Sequence, residues 1–182
     1  MPPPLPSSDT LLQFWREAGP QRWFRRDDGF DAGFRERFLA AHEAAATGQL
    51  DDWGATPDGA LALVLLLDQF PRNAFRGTPR MYATDAQARA AADAAIAAGH
   101  DLAVDPQLRP FFYLPFMHSE ALPDLERCVA LNDAIGGEPA RYARHHRDIV
   151  ARFGRFPHRN AVLGRPSSEQ EERFLAEGGF TG

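Results

Sequence analysis

Apolar residues recur at helical spacing through most of the chain, and Gly, Pro and Ser/Thr/Asp signals separate the segments. Leu11, Leu12, Phe14 and Trp15 define the inward face of a first helix, capped at Ser8 or Asp9 and stopped by Gly19-Pro20. The loop that follows carries Trp23-Phe24, which is expected to pack back onto the core. Phe30, Phe34 and Phe38 recur every four residues and predict a second helix, capped near Asp31 and ended by Gly48. Asp51-Asp52-Trp53 reads as a loop. Thr56-Pro57-Asp58-Gly59 then reads as a cap with proline in the first turn. The third helix, about 58–69, is apolar on all sides, which predicts the central buried helix. Pro71 is expected to end it.

Thr84-Asp85 caps an Ala-rich fourth helix that runs to Ala98 and is closed by Gly99. Residues 105–121 predict short helical turns broken at Pro106, Pro110 and Pro115. A fifth helix starts after Leu122-Pro123 and runs to Gly136-Gly137. A sixth, over 138–153, places Tyr142, His146, Ile149, Val150 and Phe153 on one stripe. Overlapping capping boxes at Ser167 and Ser168 open a last helix holding Phe174 and Leu175. No segment alternates as a strand would. The pattern predicts an all-α fold of about seven helices in antiparallel hairpins. It is expected to form a single helical domain over 8–182 behind a disordered, Pro-rich lead at 1–7.

Composition narrows the functional classes. A chain of 182 residues with 44% hydrophobic and 25% charged positions suits a soluble globular domain. The net charge of −5 argues against general binding to nucleic acid or a membrane surface. All 20 basic residues are Arg, so Schiff-base and P-loop lysine chemistry is excluded. The lone Cys128 excludes an internal disulfide framework and a cysteine-based zinc cluster. Met1-Pro-Pro-Pro-Leu-Pro lacks the character of a signal peptide, and the longest apolar run, Ala60 to Leu67, is far short of a membrane span. A cytoplasmic location is the default expectation.

Candidate chemistry concentrates in three segments. Leu67-Asp68-Gln69-Phe70-Pro71-Arg72-Asn73 is nearly repeated in Phe153-Gly154-Arg155-Phe156-Pro157-His158-Arg159-Asn160. Each is a Phe-Pro step after an apolar helical segment, with Arg-Asn close behind. The third segment is Pro115-Phe116-Met117-His118-Ser119-Glu120. Polar groups beside bulky apolar ones predict a partly buried, hydrogen-bonded cluster. Residues 149–168 hold Arg152, Arg155, Arg159, Arg165 and His158 and no acid, and guanidinium forks bind carboxylate or phosphate. The same arginines would equally serve to fasten loops through Asp68, Glu120 and nearby carbonyls. Asp68, buried at the end of an apolar helix, requires a cation or several donors, and Arg72 stands four residues on. His118-Ser119-Glu120 lacks a nucleophile elbow, and no His-Glu-x-x-His spacing marks a metal site. His146 reads as a core histidine, and His42 and His100 as surface residues at helix ends.

The stretches Leu61–Gly77, Tyr113–Glu120 and Asp148–Arg165 resemble the bacterial domain-of-unknown-function 924 family, and the resemblance extends over roughly residues 9–180. It implies an all-helical fold similar to tetratricopeptide-like helical hairpins, and no activity. The positions that match the motifs are Asp68, Gln69, Arg72, Asn73, Arg76, His118, Ser119, Glu120, Arg155, His158, Arg159, Asn160 and Arg165.

Three functions compete. In the first, the three segments form a cleft for an anionic small molecule, as in a hydrolase or transferase. His118 or His158 is then the acid–base, oriented by Asp68 or Glu120. Arg72, Asn73, Arg155, Arg159, Asn160 and Arg165 hold the ligand. In the second, a helical-hairpin groove binds an acidic peptide. In the third, the polar residues are a purely structural network. No dinucleotide fingerprint is visible, and the residues name no cofactor.

Overall fold

In the computed structural model, which describes residues 4–182, every regular element is helical. Residues 1–3 of the expected disordered lead lie outside the described residues. The Ser7 hydroxyl accepts the Thr10 N–H and opens α1 (Ser8–Ala18), one residue before the expected cap. A short α2 (Pro20–Trp23) follows. The Asp27 carboxylate accepts the Gly29 and Phe30 N–H groups and caps α3 (Asp28–Ala46), four residues ahead of the expected Asp31. Asp31 is instead buried and paired.

The expected loop Asp51-Asp52-Trp53 lies in a 3₁₀ turn, Asp51–Ala55, after which Thr56 caps α4 (Pro57–Val64). Next come α5 (Phe70–Ala74), α6 (Asp85–Ala97), α7 (His100–Ala103) and α8 (Leu114–Met117). Then follow α9 (Leu122–Asp133), α10 (Gly137–Phe153) and α11 (Glu169–Ala176). Helical segments outnumber the seven expected, because the proline-rich connections fold into short helices instead of open loops. Pro79–Tyr82, Arg109–Phe112 and Pro157–Arg159 are 3₁₀ turns of this kind.

Contacts divide the chain into two compact units. The first runs through Arg76 and resumes at Arg80–Pro115, and the second comprises Gly77–Pro79 and Phe116–Gly182. Rings from α1 and α3 fill the first core. Trp15 stacks parallel to Trp23 at 6.2 Å and meets Phe34 at 5.6 Å and the edge of Phe111 at 5.3 Å. The apolar α4 and the turn that follows it lie within it, with Leu61, Leu65 and Leu66 fully buried. In the second unit α9 packs on α10, and Leu125, Ile149, Val150 and Phe156 form a small core flanked by Phe153, Phe174 and Phe180.

Pro71 does not end the central helix. Between α4 and α5 the backbone widens into a π-helical turn, Leu65–Gln69, in which the Phe70 N–H reaches the Leu65 carbonyl five residues back. Pro71 has no N–H to give Leu66 or Leu67, its neighbours five and four residues earlier. Side chains serve those carbonyls: His42 Nδ1 donates to Leu66 at 2.8 Å and the Thr84 hydroxyl to Leu67 at 2.6 Å. The helix passes through its proline because two outside donors complete the turn. Thr84→Val, which keeps shape and removes the donor, is expected to cost about 1–3 kcal/mol in urea unfolding. A neutral result would mean that the Leu67 carbonyl finds another donor.

Three packing expectations are corrected. Trp23 is buried as expected, whereas Phe24 is 68% exposed, with one face stacked on Phe111 at 5.6 Å. Tyr142 is 48% exposed, because the inward stripe of α10 runs through Ala143, His146, Ile149 and Val150. His42 is buried, since it continues the four-residue period of Phe30, Phe34 and Phe38 for one more turn.

Candidate functional site

The π-helical turn presents Asp68 and Gln69 to the interior of the first unit, where both are buried. The Asp68 carboxylate accepts Gln69 Nε2 at 2.7 Å and pairs with Arg72 at 3.1 Å. Arg72 also donates to the Asp68 carbonyl at 2.9 Å and closes its fork on Asp85 at 2.8 and 3.0 Å. Burial alone would lower the Arg72 pKa, and Asp68 and Asp85 more than offset it, so the guanidinium is held charged. One turn later Asn73 Nδ2 donates to Asp31 at 2.7 Å, and Arg76 grips the other oxygen of Asp31 at 3.0 Å. Asp68, Gln69, Arg72 and Asn73 thus tie α3, α5 and the start of α6 together within one unit.

The second unit gathers the other motif residues. Ser119 turns the chain into α9: its hydroxyl donates to Asp124 at 2.6 Å and accepts the Ala121 N–H at 3.1 Å. Glu120 reaches the segment after α10. It accepts Arg165 at 2.7 and 2.9 Å and the Phe156 N–H at 2.7 Å. Burial would raise the Glu120 pKa, but Arg165 and the Phe156 N–H outweigh it and hold the carboxylate ionised. Arg165 continues to Asn160 Oδ1 at 3.0 Å, and Asn160 Nδ2 donates to the Ser167 hydroxyl at 3.0 Å.

Arg155 forks onto Glu171 at 2.6 and 2.8 Å and adds the Pro166 carbonyl at 2.8 Å. Its hydrogen bonds, with those of the Ser168 capping box, hold the Glu171 carboxyl down to about 2. Three of the expected anion-binding forks, those of Arg72, Arg155 and Arg165, therefore already grip carboxylates of the chain. Glu120 is fixed by arginine rather than orienting a histidine.

Imidazoles form the remaining part of this cluster. The 3₁₀ turn Pro157–Arg159 holds His158 half-buried against Phe156 (5.7 Å) and Phe180 (5.0 Å). His146 is buried on α10, and its Nδ1 bonds the Tyr142 carbonyl at 2.8 Å. A carbonyl only accepts, so the proton sits on Nδ1 and Nε2 carries the lone pair. His118 is half-buried, and its carbonyl accepts Arg159 Nη2 at 2.9 Å. Burial pushes both His146 and His158 down to about 4. Repulsion adds to it: Arg159, His118 and Arg165 act on His158, and His118, His145 and His158 on His146. The buried Nδ1 of His158 has no hydrogen-bond partner. The cluster presents neutral imidazoles beside guanidinium groups, an arrangement that can accept a proton or a hydrogen bond from a ligand.

Sequence reasoning missed Asp85, Glu171, His146 and Phe180 as members of these clusters. Two carried a readable signal: Glu171 as the last residue of the Ser168 capping box, and His146 on the inward stripe of α10, where it is buried as a core histidine. The lone Cys128 is buried, which pushes its thiol up to about 12, away from the thiolate form. In the first unit a half-open pocket of about 410 Å³ lies between α4 and the alanine face of α6, lined mainly by apolar residues such as Leu63, Leu67, Ala91 and Ala94, with Asp51 and Gln87 among its walls. Among the described residues no group of three or more His, Cys, Asp or Glu is arranged to hold a metal, and no helix is long and apolar enough to cross a membrane.

The chain is similar to a solved structure, the Protein of Unknown Function ATU0120 from Agrobacterium tumefaciens. Identity is 52%, the TM-score is 0.93, and the match covers 94% of this chain and 97% of that one. No curated protein matches. A family model described as "Bacterial protein of unknown function (DUF924)" matches residues 11–179, nearly all of both units and every motif residue described above. The chain belongs to that bacterial family of unknown function.

Proposed function

We propose that the imidazole cluster of the second unit binds a small anionic molecule, with His158 accepting a proton or hydrogen bond from it. The buried, unpartnered Nδ1 of His158 carries this reading. A ligand that brings a donor and negative charge would satisfy that nitrogen and would be attracted by Arg159 and Arg165. A neutral imidazole is also the form a general base requires, so the reaction class is proton-assisted group transfer to water or another acceptor, as in hydrolases and transferases. His118 and His146 are its neighbours in that role. Arg155, Arg165, Glu120 and Asn160 are braces that shape the site, and Arg72, Asn73 and Asp68 brace the first unit.

Calorimetric titration with inorganic phosphate and with acetate at pH 6, in two buffers of different ionisation heat, tests the reading. A bound anion should raise the imidazole pKa, so proton uptake is expected, at most about one per anion bound. His158→Gln is expected to abolish that uptake while leaving the unfolding midpoint within about 3 °C of the parent at pH 7. Absence of binding heat for both anions, or uptake unchanged in the variant, would refute the assignment to His158.

A further inference from the structure

The segment after α11 ends over the imidazoles. Helix α11 finishes in a Schellman motif: the Gly179 N–H bonds the Phe174 carbonyl at 2.9 Å and the Gly178 N–H bonds the Leu175 carbonyl at 3.3 Å. Gly178 has φ +84°, the left-handed geometry this motif uses. A side chain at Gly179 would collide with the Phe174 carbonyl, at 2.5 Å from an added Cβ. The chain therefore reverses tightly, and Phe180 lands on three rings. It meets His146 at 4.6 Å and 65°, His158 at 5.0 Å and 87°, and His145 at 5.7 Å and 83°. Gly182 follows close to the His158 ring, 3.2 Å from Cδ2 for an added Cβ.

We propose that residues 178–182 form an acid-released latch over the imidazole cluster, holding it dry when the rings are neutral and leaving when they charge. An apolar ring packed on the imidazoles limits the water that reaches them, and a charged imidazole demands that water. The groups that act on this pair come from every neighbouring element: His118 and Glu120 from the turn before α9, His145 from α10, and Arg159 and Arg165 from the segment after α10. Among these groups Glu120 is the one that favours a second positive charge, and Arg165 already neutralises it. Protonation of His146 or His158 therefore meets repulsion as well as desolvation, and release of Phe180 relieves the desolvation. The latch also regulates the proposed anion site, and in that respect rests on that reading, because Phe180 and Gly182 both lie against the His158 ring.

Linkage supplies the test. If protons expel the latch, the latch must lower the proton affinity of the rings by the same factor. Histidine ring-proton resonances would be followed by NMR from pH 7.5 to pH 3.5 in the parent chain, Phe180→Ala and Phe180→Leu. In Phe180→Ala the midpoints of His146 and His158 are expected to rise by about one unit, a tenfold gain in proton affinity. Phe180→Leu, which keeps an apolar cover, should restore most of the difference. Contacts between Phe180 and His158 ring protons in the parent should disappear through the same titration. Midpoints identical in the parent and Phe180→Ala would overturn the latch. Phosphate added at pH 7 separates the two ideas. Tighter binding to Phe180→Ala than to the parent supports both, whereas raised midpoints with no phosphate-induced shift in either protein would keep the latch and reject the anion site.

Discussion

Arg72→Ala is expected to destabilise the protein by about 3–5 kcal/mol, because it strips the cation from two buried carboxylates at once. Asp68 is 1% exposed and Asp85 is 9% exposed, and both accept from this one guanidinium. Neither carboxylate has the bulk water that would stabilise an unpaired charge. At this size the loss would lower the unfolding midpoint by about 10 °C. Arg72→Lys should recover little of it, since an ammonium cannot hold the Asp85 fork and the Asp68 carbonyl together. The matching control is Arg16→Ala. Arg16 meets Asp58 at 3.4 Å with both side chains about half exposed, and its loss is expected to cost under about 1 kcal/mol. Urea unfolding of the three variants settles the matter. A loss below about 1 kcal/mol for Arg72→Ala would mean that Asp68 and Asp85 are served by water or other donors, leaving the π-helical turn without its ionic brace.

That brace also marks where reading the chain reached its limit. Helix positions were legible because capping and periodicity are local. Thr56 and Ser168 cap as their sequences suggest, and the four-residue period of Phe30, Phe34 and Phe38 would have placed His42 inside had it been carried one turn further. Continuation past Pro71 was not legible. It depends on His42 and Thr84, which come from other elements and donate to Leu66 and Leu67. The motif positions are legible as polar groups set among apolar ones, but the partners that define their roles are distant in sequence. Glu120 and Arg165 stand 45 residues apart, and Asp31 and Asn73 stand 42 apart. An arginine that grips a carboxylate of its own chain and one that waits for a ligand look the same in sequence. Phe180 offered no local signal at all, because its place over the imidazoles follows from the geometry of a helix end.

Acid unfolding is expected to occur in two separate stages. His146 and His158 have folded values near 4 against an ordinary 6.5, so between those pH values the unfolded chain binds protons that the folded chain refuses. Stability therefore falls as pH drops from 6.5 to about 4, and His42, lowered chiefly by burial, contributes in the same direction. One pKa unit is worth about 1.4 kcal/mol, so the pair would account for roughly 3–5 kcal/mol once the partial exposure of His158 is allowed for. The carboxylates act later. Glu171 is lowered from 4.5 to about 2 and Glu120 is lowered as well, so the stability their pairs supply is present above pH 4.5 and is lost as pH falls below it. Denaturant midpoints measured from pH 8 to pH 2 should show both falls. The double variant His146→Gln/His158→Gln should flatten the first and leave the second in place. One fall confined to pH below 4.5 would mean that the imidazoles charge freely in the folded protein, which would remove the dry cluster on which both the anion site and the latch depend. Two falls, with the first tied to these two rings, would mean that the fold gives up stability below pH 6.5 to keep imidazoles uncharged beside arginine.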